Sequence, residues 1–263
     1  MLIEAQGGED KAKYGNALIK EYSEKLTNEI GRGYTFSALS RMRQFYLLSE
    51  KIATLSQQLT WSHYCELLVF DNVDEINYYI KQTEIYNLSV RELREKIKSK
   101  EYQRLDNNTK LKLINKEETV VSDFIKNPIV IRNKYNIDKE SITEKILQRL
   151  ILEDIPSFLK ELGEGFTFVE NEYKIKIGNT YNYIDILLFN YIYNCFVVIE
   201  LKVTELKKEH IGQIQIYMNY VDKNIKTINQ DKTIGVIICK KDNGYYIEYS
   251  SDNRIFSKNY ILS

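Results

Sequence analysis

The run from Cys195 to Lys202, CFVVIELK, constrains this chain more than any other segment. It is apolar on both faces until it ends on Glu200 and Lys202. A strand of that kind must be covered on both sides, which the centre of a sheet flanked by helices provides. Its neighbours fit the same layout. Tyr173, Ile175 and Ile177 alternate with Lys174 and Lys176 up to a Gly178-Asn179 turn. A second strand then puts Tyr183, Asp185, Leu187 and Phe189 on one face and Ile184, Ile186 and Leu188 on the other. A helix is expected over about Lys207 to Val221, followed by strands at Ile234 to Cys239 and Tyr245 to Tyr249. Ahead of the strands, Ser141-Ile142-Thr143-Glu144 reads as a capping box. The helix it opens carries Leu147, Ile151, Ile155, Phe158, Leu159 and Leu162, is kinked or split by Pro156, and stops at Gly163. Helix, three strands, helix and two strands make an α/β domain.

The first hundred residues read as helices instead. Leu18, Tyr22, Leu26 and Ile30 recur every four residues within Lys11 to Gly31. Thr35 or Ser37 caps a helix to about Leu55, with Leu39, Met42, Phe45 and Tyr46 on one side and Arg41, Arg43 and Gln44 on the rest. Another helix follows Ser62, and Ser89 to Glu92 forms a capping box ahead of a basic helix. From Lys81 to Lys116 there are ten basic and five acidic residues, a local excess of five positive charges. Arg41, Arg43, Arg91, Arg94 and Lys98 are the candidates for phosphate contact; the alternative is a solvated helical face. The expected division is a helical domain over 1–106, a connector over 107–140 containing Pro128, and an α/β domain over 141–263.

Residue counts narrow the chemistry. Of 263 residues, 43% are hydrophobic and 28% charged, enough for a sizeable core. No apolar run approaches the roughly 20 residues of a membrane span. No basic-then-apolar leader opens the chain, so a soluble, cytoplasmic protein is expected. Cys65, Cys195 and Cys239 lie apart in apolar contexts, and the only histidines are His63 and His210. Zinc sites, disulfide frameworks and histidine-based nucleophilic triads therefore lack material. Gly31-Arg32-Gly33 is too short for a phosphate loop. Lys+Arg and Asp+Glu both number 37, so total charge gives no argument for nucleic acid.

What remains is carboxylates and lysine. Glu200 and Lys202 share a strand face, and Asp185 sits amid apolar residues where a charge is costly unless compensated. A divalent cation between Asp185 and Glu200 would compensate it, and Mg²⁺, with Mn²⁺ as the alternative, takes such oxygen ligands. Lys202 beside it can orient or deprotonate water and stabilise phosphate charge. The competing interpretation is a buried Asp185–Lys202 ion pair with Glu200 a solvated strand end. On the next helix, Gln213 and Tyr217 are four residues apart and share a face; alternatively Gln213 is surface and Tyr217 core.

These strands and helices resemble the PD-(D/E)XK nuclease superfamily, a restriction-endonuclease-like α/β core, and Gln213-x-x-x-Tyr217 resembles its RecB-like and Holliday-resolvase-like branches, where the glutamine lies near the active centre. Arg41-Met42-Arg43-Gln44-Phe45-Tyr46, Leu59-Thr60-Trp61-Ser62-His63-Tyr64, Ser89-Val90-Arg91-Glu92-Leu93, the stretch Leu159 to Phe166, and Val198-Ile199-Glu200-Leu201-Lys202 together resemble the bacterial YhcG-like family of such nucleases, across nearly the whole chain. The resemblance implies a DNA-cleaving domain with Asp185, Glu200 and Lys202 at its centre, behind a small all-α domain that binds DNA or a protein partner. The superfamily often adds an acid from its first helix; Glu161 lies at the edge of the buried stripe and is favoured over Glu153 and Asp154. Two departures stand out. The family's further helix ahead of Lys11 to Gly31 is expected to be missing, since Met1-Leu2-Ile3 is followed closely by Gly7-Gly8, and an Arg-Gln pair expected just before the first strand is replaced by Asn171-Glu172. The expectation is a Mg²⁺-dependent DNA endonuclease, dimeric if both strands are cut, serving genome defence, mobile elements or repair. The rivals are an inactive nuclease-fold binding module and a nuclease acting on RNA.

Overall fold

A computed structural model describes residues 15–52, 55–241 and 245–263. The expected start of the first helix at Lys11 and the question of a preceding helix lie outside the described residues. The chain divides into two units, one ending at Tyr102 and one running from Gln103 to Ser263.

The first unit is helical: α1 (Gly15–Glu29), α2 (Phe36–Ser49), α3 (Trp61–Leu67), α4 (Val73–Tyr86) and α5 (Val90–Lys98). Thr35 caps α2 by accepting the Ala38 amide, and Ser89 and Glu92 form the expected capping box on α5. Leu39, Tyr64, Leu67, Ile76, Tyr79 and Leu93 are buried at its centre. The helix expected to reach Leu55 ends at Ser49. The basic helix after Ser89 ends at Lys98, where Ser99 caps it, and Lys100 then takes a left-handed turn.

The second unit contains a six-stranded mixed sheet. Its elements are α6 (Asn107–Asn115), β1 (Ile129–Ile131), α7 (Glu144–Leu152), α8 (Ile155–Leu162), β2 (Phe166–Ile177), β3 (Thr180–Asn190), β4 (Cys195–Glu205), α9 (Lys208–Asn224), β5 (Asp231–Lys241), α10 (Tyr245–Glu248) and β6 (Ile255–Leu262). Strand order is β1-β6-β5-β4-β3-β2. β2, β3 and β4 pair antiparallel, whereas β4, β5, β6 and β1 pair parallel. Gly178, at φ 60°, makes the two-residue β2–β3 turn with Asn179. β4 lies inside the sheet, and Val197, Val198, Ile199 and Leu201 are at most 1% exposed.

Two cores cover it. Leu147, Ile151, Phe158 and Leu162 from α7 and α8 meet Val197 and Ile199 on one face; Ile214, Met218 and Val221 from α9 meet Val198 and Ile237 on the other. The helix expected to be kinked or split at Pro156 is split: α7 ends at Leu152, and Asp154 caps α8 through the Ser157 amide. Pro156 then falls in the first turn of α8, where its missing N–H costs nothing.

Two further expectations differ from the structure. Residues 107–140 are more than a connector: Val121, Ile125, Ile129 and Ile131 are buried in the α7–α8 core, and β1 pairs with β6. The aromatic run Tyr245 to Tyr249, expected as a strand, starts as the short helix α10, with Tyr245 and Tyr249 exposed. The strand is instead β6, whose Lys258 and Asn259 mask its apolar pattern. Among the described residues no helix is long and apolar enough to cross a membrane.

Helix α9 lies close on β5 at Gly235, where an added Cβ would stand 2.6 Å from Met218 Sδ and 2.8 Å from Ile214 Cδ1. Gly235→Ala is therefore expected to lower unfolding free energy by about 1–3 kcal/mol through overpacking. Urea unfolding checks this: the midpoint should fall with the slope unchanged, and an unchanged midpoint contradicts the seating of α9.

Candidate active site

The β3–β4 ladder pairs Asn190 with Cys195 through Ile186 with Ile199 and stops there. The next residues in register are Asp185 and Glu200. Beyond this point the strands part, and the Leu201 amide donates not to a backbone carbonyl but to Asp185 Oδ2 at 2.7 Å. Alternation breaks at the same place, since Ile184 and Leu187, three apart, both join the α9 core. Glu172, in register opposite on β2, has φ 49°, a left-handed conformation rare for such a side chain. The parting of the strands thus places a carboxylate beside Glu200 and uses it to satisfy a buried amide.

Glu200 is 1% exposed. Its Oε1 accepts from Lys202 Nζ at 2.8 Å, while Oε2 is buried with no hydrogen-bond partner. The interpretation that paired Asp185 with Lys202 and left Glu200 solvated does not match this arrangement. Burial, then the negative charge of Asp185, raises the Glu200 carboxyl to about 7. Asp185 is raised too, by burial first, against the Leu201 amide and Lys202, with Glu144 and Glu172 adding to the rise. Burial pulls Lys202 down, but Glu200, Glu144 and Asp185 outweigh it and hold the ammonium above its usual value.

α9 carries Tyr217 to the margin of this centre, with Gln213 bonded to it. Gln213 Nε2 donates to the Tyr217 hydroxyl at 3.1 Å. Tyr217 is 5% exposed, and after burial the charges of Glu200, Asp185 and Lys202 all act on its hydroxyl. Tyr217 therefore belongs both to the α9 core and to the margin of the site.

Glu161 is not brought to the group. Its Oε2 accepts from Arg104 Nη1 at 2.6 Å and from the Val130 amide at 2.9 Å, and its Oε1 accepts from Arg104 Nη2 at 3.1 Å. It fastens α8 to β1 and to the start of the unit. Asp154 caps α8 and pairs with Arg132, and Glu153 lies 3.7 Å from Arg149. The first-helix acid near the centre is Glu144, whose Oε2 is 3.5 Å from Lys202 Nζ. The anticipated Ser141–Glu144 capping box hid it. The observed cap is Thr143, which accepts the Ile146 amide, so Glu144 is the first residue of α7 and its side chain faces Lys202. One turn on, Gln148 donates to the backbone carbonyl of Asp185 at 3.0 Å. A polar pair at i, i+4 beside the apolar stripe was the available signal for both residues.

The donor set suits a hard divalent cation. Asp185 and Glu200 supply two carboxylates, one oxygen of which is buried without a donor. Among the described residues no group of three or more His, Cys, Asp or Glu is placed to hold a metal ion. Two carboxylates with water and phosphate completing the shell is a Mg²⁺-type arrangement rather than a closed zinc cage. Thiol chemistry is remote, since burial pushes Cys195 up to about 11.

In the helical unit Arg41, Arg91, Arg94 and Lys98 are exposed and Arg43 half-buried. Arg94 binds both oxygens of Glu66, at 2.6 and 3.0 Å, and the Glu66 carboxyl is lowered first by that bond and further by Arg41 and Lys98. Three cations thus gather around one acid. Arg91 pairs with Glu95 at 3.4 Å. The basic excess of Lys81 to Lys116 is partly offset from outside the stretch, where Arg94 pairs with Glu66, Arg104 with Glu161 and Lys112 with Asp123, while Lys96 pairs with Glu101 within it. The expected Arg-Gln position also differs from its anticipated place, because β2 begins at Phe166 and Asn171-Glu172 lie within it.

Residues 122–262 match the family described as "YhcG PDDEXK nuclease domain", and residues 1–104 match "DUF1016 N-terminal domain". The chain is 27% identical over 272 residues to the "Putative nuclease YhcG" of Escherichia coli (strain K12), covering 89% of this chain and 72% of that protein. Two solved structures are also similar. A repair endonuclease from Pyrococcus abyssi has TM-score 0.33 and 16% identity, over 45% of this chain and 47% of that one. An EndoMS–double-stranded DNA complex has TM-score 0.34 and 19% identity, over 47% and 48%. The chain spans about half the length of these two structures. With more than half of its residues matched, including Asp185, Glu200 and Lys202, this chain belongs to the YhcG family of PDDEXK nucleases, with a restriction-endonuclease-like fold.

Proposed function

We propose that this chain is a Mg²⁺-dependent DNA endonuclease, with Asp185 and Glu200 as metal ligands. The observation that carries the proposal is the buried, partnerless Oε2 of Glu200 beside the Asp185 carboxylate. Held by Asp185 and Glu200, a divalent cation would supply Lewis-acid charge for the scissile phosphate and for an attacking water. The remaining work belongs to the chain. Lys202, held by Glu200 and kept as an ammonium, stabilises charge on the phosphate rather than removing a proton. Gln148 and the Leu201 amide fix Asp185 from both its backbone and its carboxylate. Gln213 orients the Tyr217 hydroxyl at the margin, and Glu144 aids the hold on Lys202. Arg41, Arg94 and Lys98, with Arg43 and Arg91 beside them in sequence, supply phosphate contacts from the helical unit. One such centre cuts one strand, so a homodimer would cut both. Mn²⁺ fits the same ligands, and the cytoplasm is the expected setting. One observation favours a second reading, a binding module with a silent centre: Glu172, not a basic residue, stands opposite Asp185 and adds negative charge there.

Asp185→Asn keeps an acceptor for the Leu201 amide while removing the charge. It is expected to cut Mg²⁺-dependent plasmid cleavage a hundredfold or more, since a bound metal contributes several kcal/mol at about 1.4 kcal/mol per tenfold. The melting temperature should hold or rise, because a like-charge pair is relieved. Cleavage at the wild-type rate contradicts the metal assignment.

A metal entering this site must displace the proton that Glu200 carries below about pH 7. Calorimetry in buffers of different ionisation enthalpy should show roughly one proton released per Mg²⁺ at pH 6 and few at pH 8, with affinity rising about tenfold per unit up to neutrality. Binding without proton release at pH 6 excludes Glu200 as a ligand.

A further inference from the structure

The β2–β3 hairpin outruns its neighbour. β2 pairs with β3 as far as Ile177 with Thr180, but β3 pairs with β4 only from Ile186 to Asn190. Residues 173–184 therefore form a two-stranded ribbon beyond the last β3–β4 pair, with Asp185 at its root. One ribbon face is anchored, since Ile175 and Ile184 are 1% and 0% exposed and join Tyr173 in the α9 core. The register pairs Lys174 with Tyr183 and Lys176 with Tyr181, so these four share the opposite face. That face is open: Tyr181 is 53% and Tyr183 51% exposed, and both lysines are exposed. Lys174 Nζ lies 4.0 Å from the centroid of the Tyr181 ring and Lys176 Nζ 5.9 Å, so the lysines stay against the aromatic surface. No acidic residue occurs from 173 to 184; Glu170 and Glu172 come before, at the root.

A fixed ribbon with cations and phenol hydroxyls on one face, starting at the candidate metal ligand, has the chemistry of a phosphodiester clamp. We infer that Lys174, Lys176, Tyr181 and Tyr183 hold the DNA backbone flanking the phosphate presented to Asp185 and Glu200. The inference rests on the nuclease reading above and adds the surface that delivers the substrate. Lysines bind phosphates without sequence preference, and the tyrosines add hydroxyl donors and stacking faces. The arm therefore positions the duplex rather than reading its bases.

The test is fluorescence anisotropy of a labelled duplex with the full chain in metal-free buffer across a salt series, alongside Mg²⁺-dependent cleavage by the wild type. Lys174→Ala/Lys176→Ala should weaken binding and reduce the slope of log affinity against log salt by about 1.8, two contacts at about 0.9 each. Lys174→Arg/Lys176→Arg should restore both. The control Lys223→Ala/Lys232→Ala removes the same charge at the other end of the sheet, where Asp231 pairs with Cys195, and should leave both unchanged. Wild-type affinity and slope in the ribbon double variant overturn the inference, as does loss shared equally by the control pair. A chain that cleaves DNA yet does not bind it without metal also overturns the inference and leaves the nuclease reading standing. A chain that neither binds nor cleaves overturns the nuclease reading itself.

Discussion

Asp185 and Glu200 stand together because β3 and β4 pair up to Ile186 and Ile199 and then part. The parting is costly on its own, since it strips the Leu201 amide of a strand partner and sets two carboxylates in an apolar surround. The structure answers part of that cost locally. Asp185 accepts the Leu201 amide, Gln148 takes the Asp185 carbonyl, and Lys202 occupies one oxygen of Glu200. The other oxygen of Glu200 is left without a donor. Among the described residues of this site it is the buried side-chain oxygen without a partner, and that is the feature behind the proposed metal ligation.

The rest of the second unit holds this split open. β4 is buried on both faces, by α7 and α8 on one side and α9 on the other, so the site residues ride on a strand that cannot shift without disturbing both cores. α7 contributes twice, through Glu144 and Gln148, one turn apart. α9 contributes Gln213 and Tyr217 from the helix that packs on Gly235. Arg104 and Glu161 tie α8 to β1. Each helix that covers the sheet thus also positions a group at the site or secures a neighbouring element.

Much of this was legible in the amino-acid order because it follows from period and burial. The two-faced apolar run of β4 and the Gly178 turn sit where alternation puts them, whereas Asp185 comes beside Glu200 where the alternation of β3 breaks. The misses have physical causes. Glu144 looked like the closing residue of a capping box, and only the choice of Thr143 over Ser141 as cap frees its side chain. Glu161 had the right helix edge, but Arg104, 57 residues earlier, claims both its oxygens, a pairing that no local pattern announces. β6 hid behind Lys258 and Asn259, and the aromatic run at Tyr245 carries strand propensity without a strand to join. Likewise the basic excess of Lys81 to Lys116 is partly offset by Glu66, Asp123 and Glu161, acids outside the stretch that its local composition does not reveal.

The most direct measurement is anomalous diffraction from crystals soaked in Mn²⁺. The carboxylate geometry predicts one peak within about 2.0–2.6 Å of Glu200 Oε2 and of an Asp185 carboxylate oxygen. A site empty at saturating Mn²⁺, or Glu200 Oε2 satisfied by a protein donor instead, would contradict the assignment of this centre as a metal-dependent nuclease site.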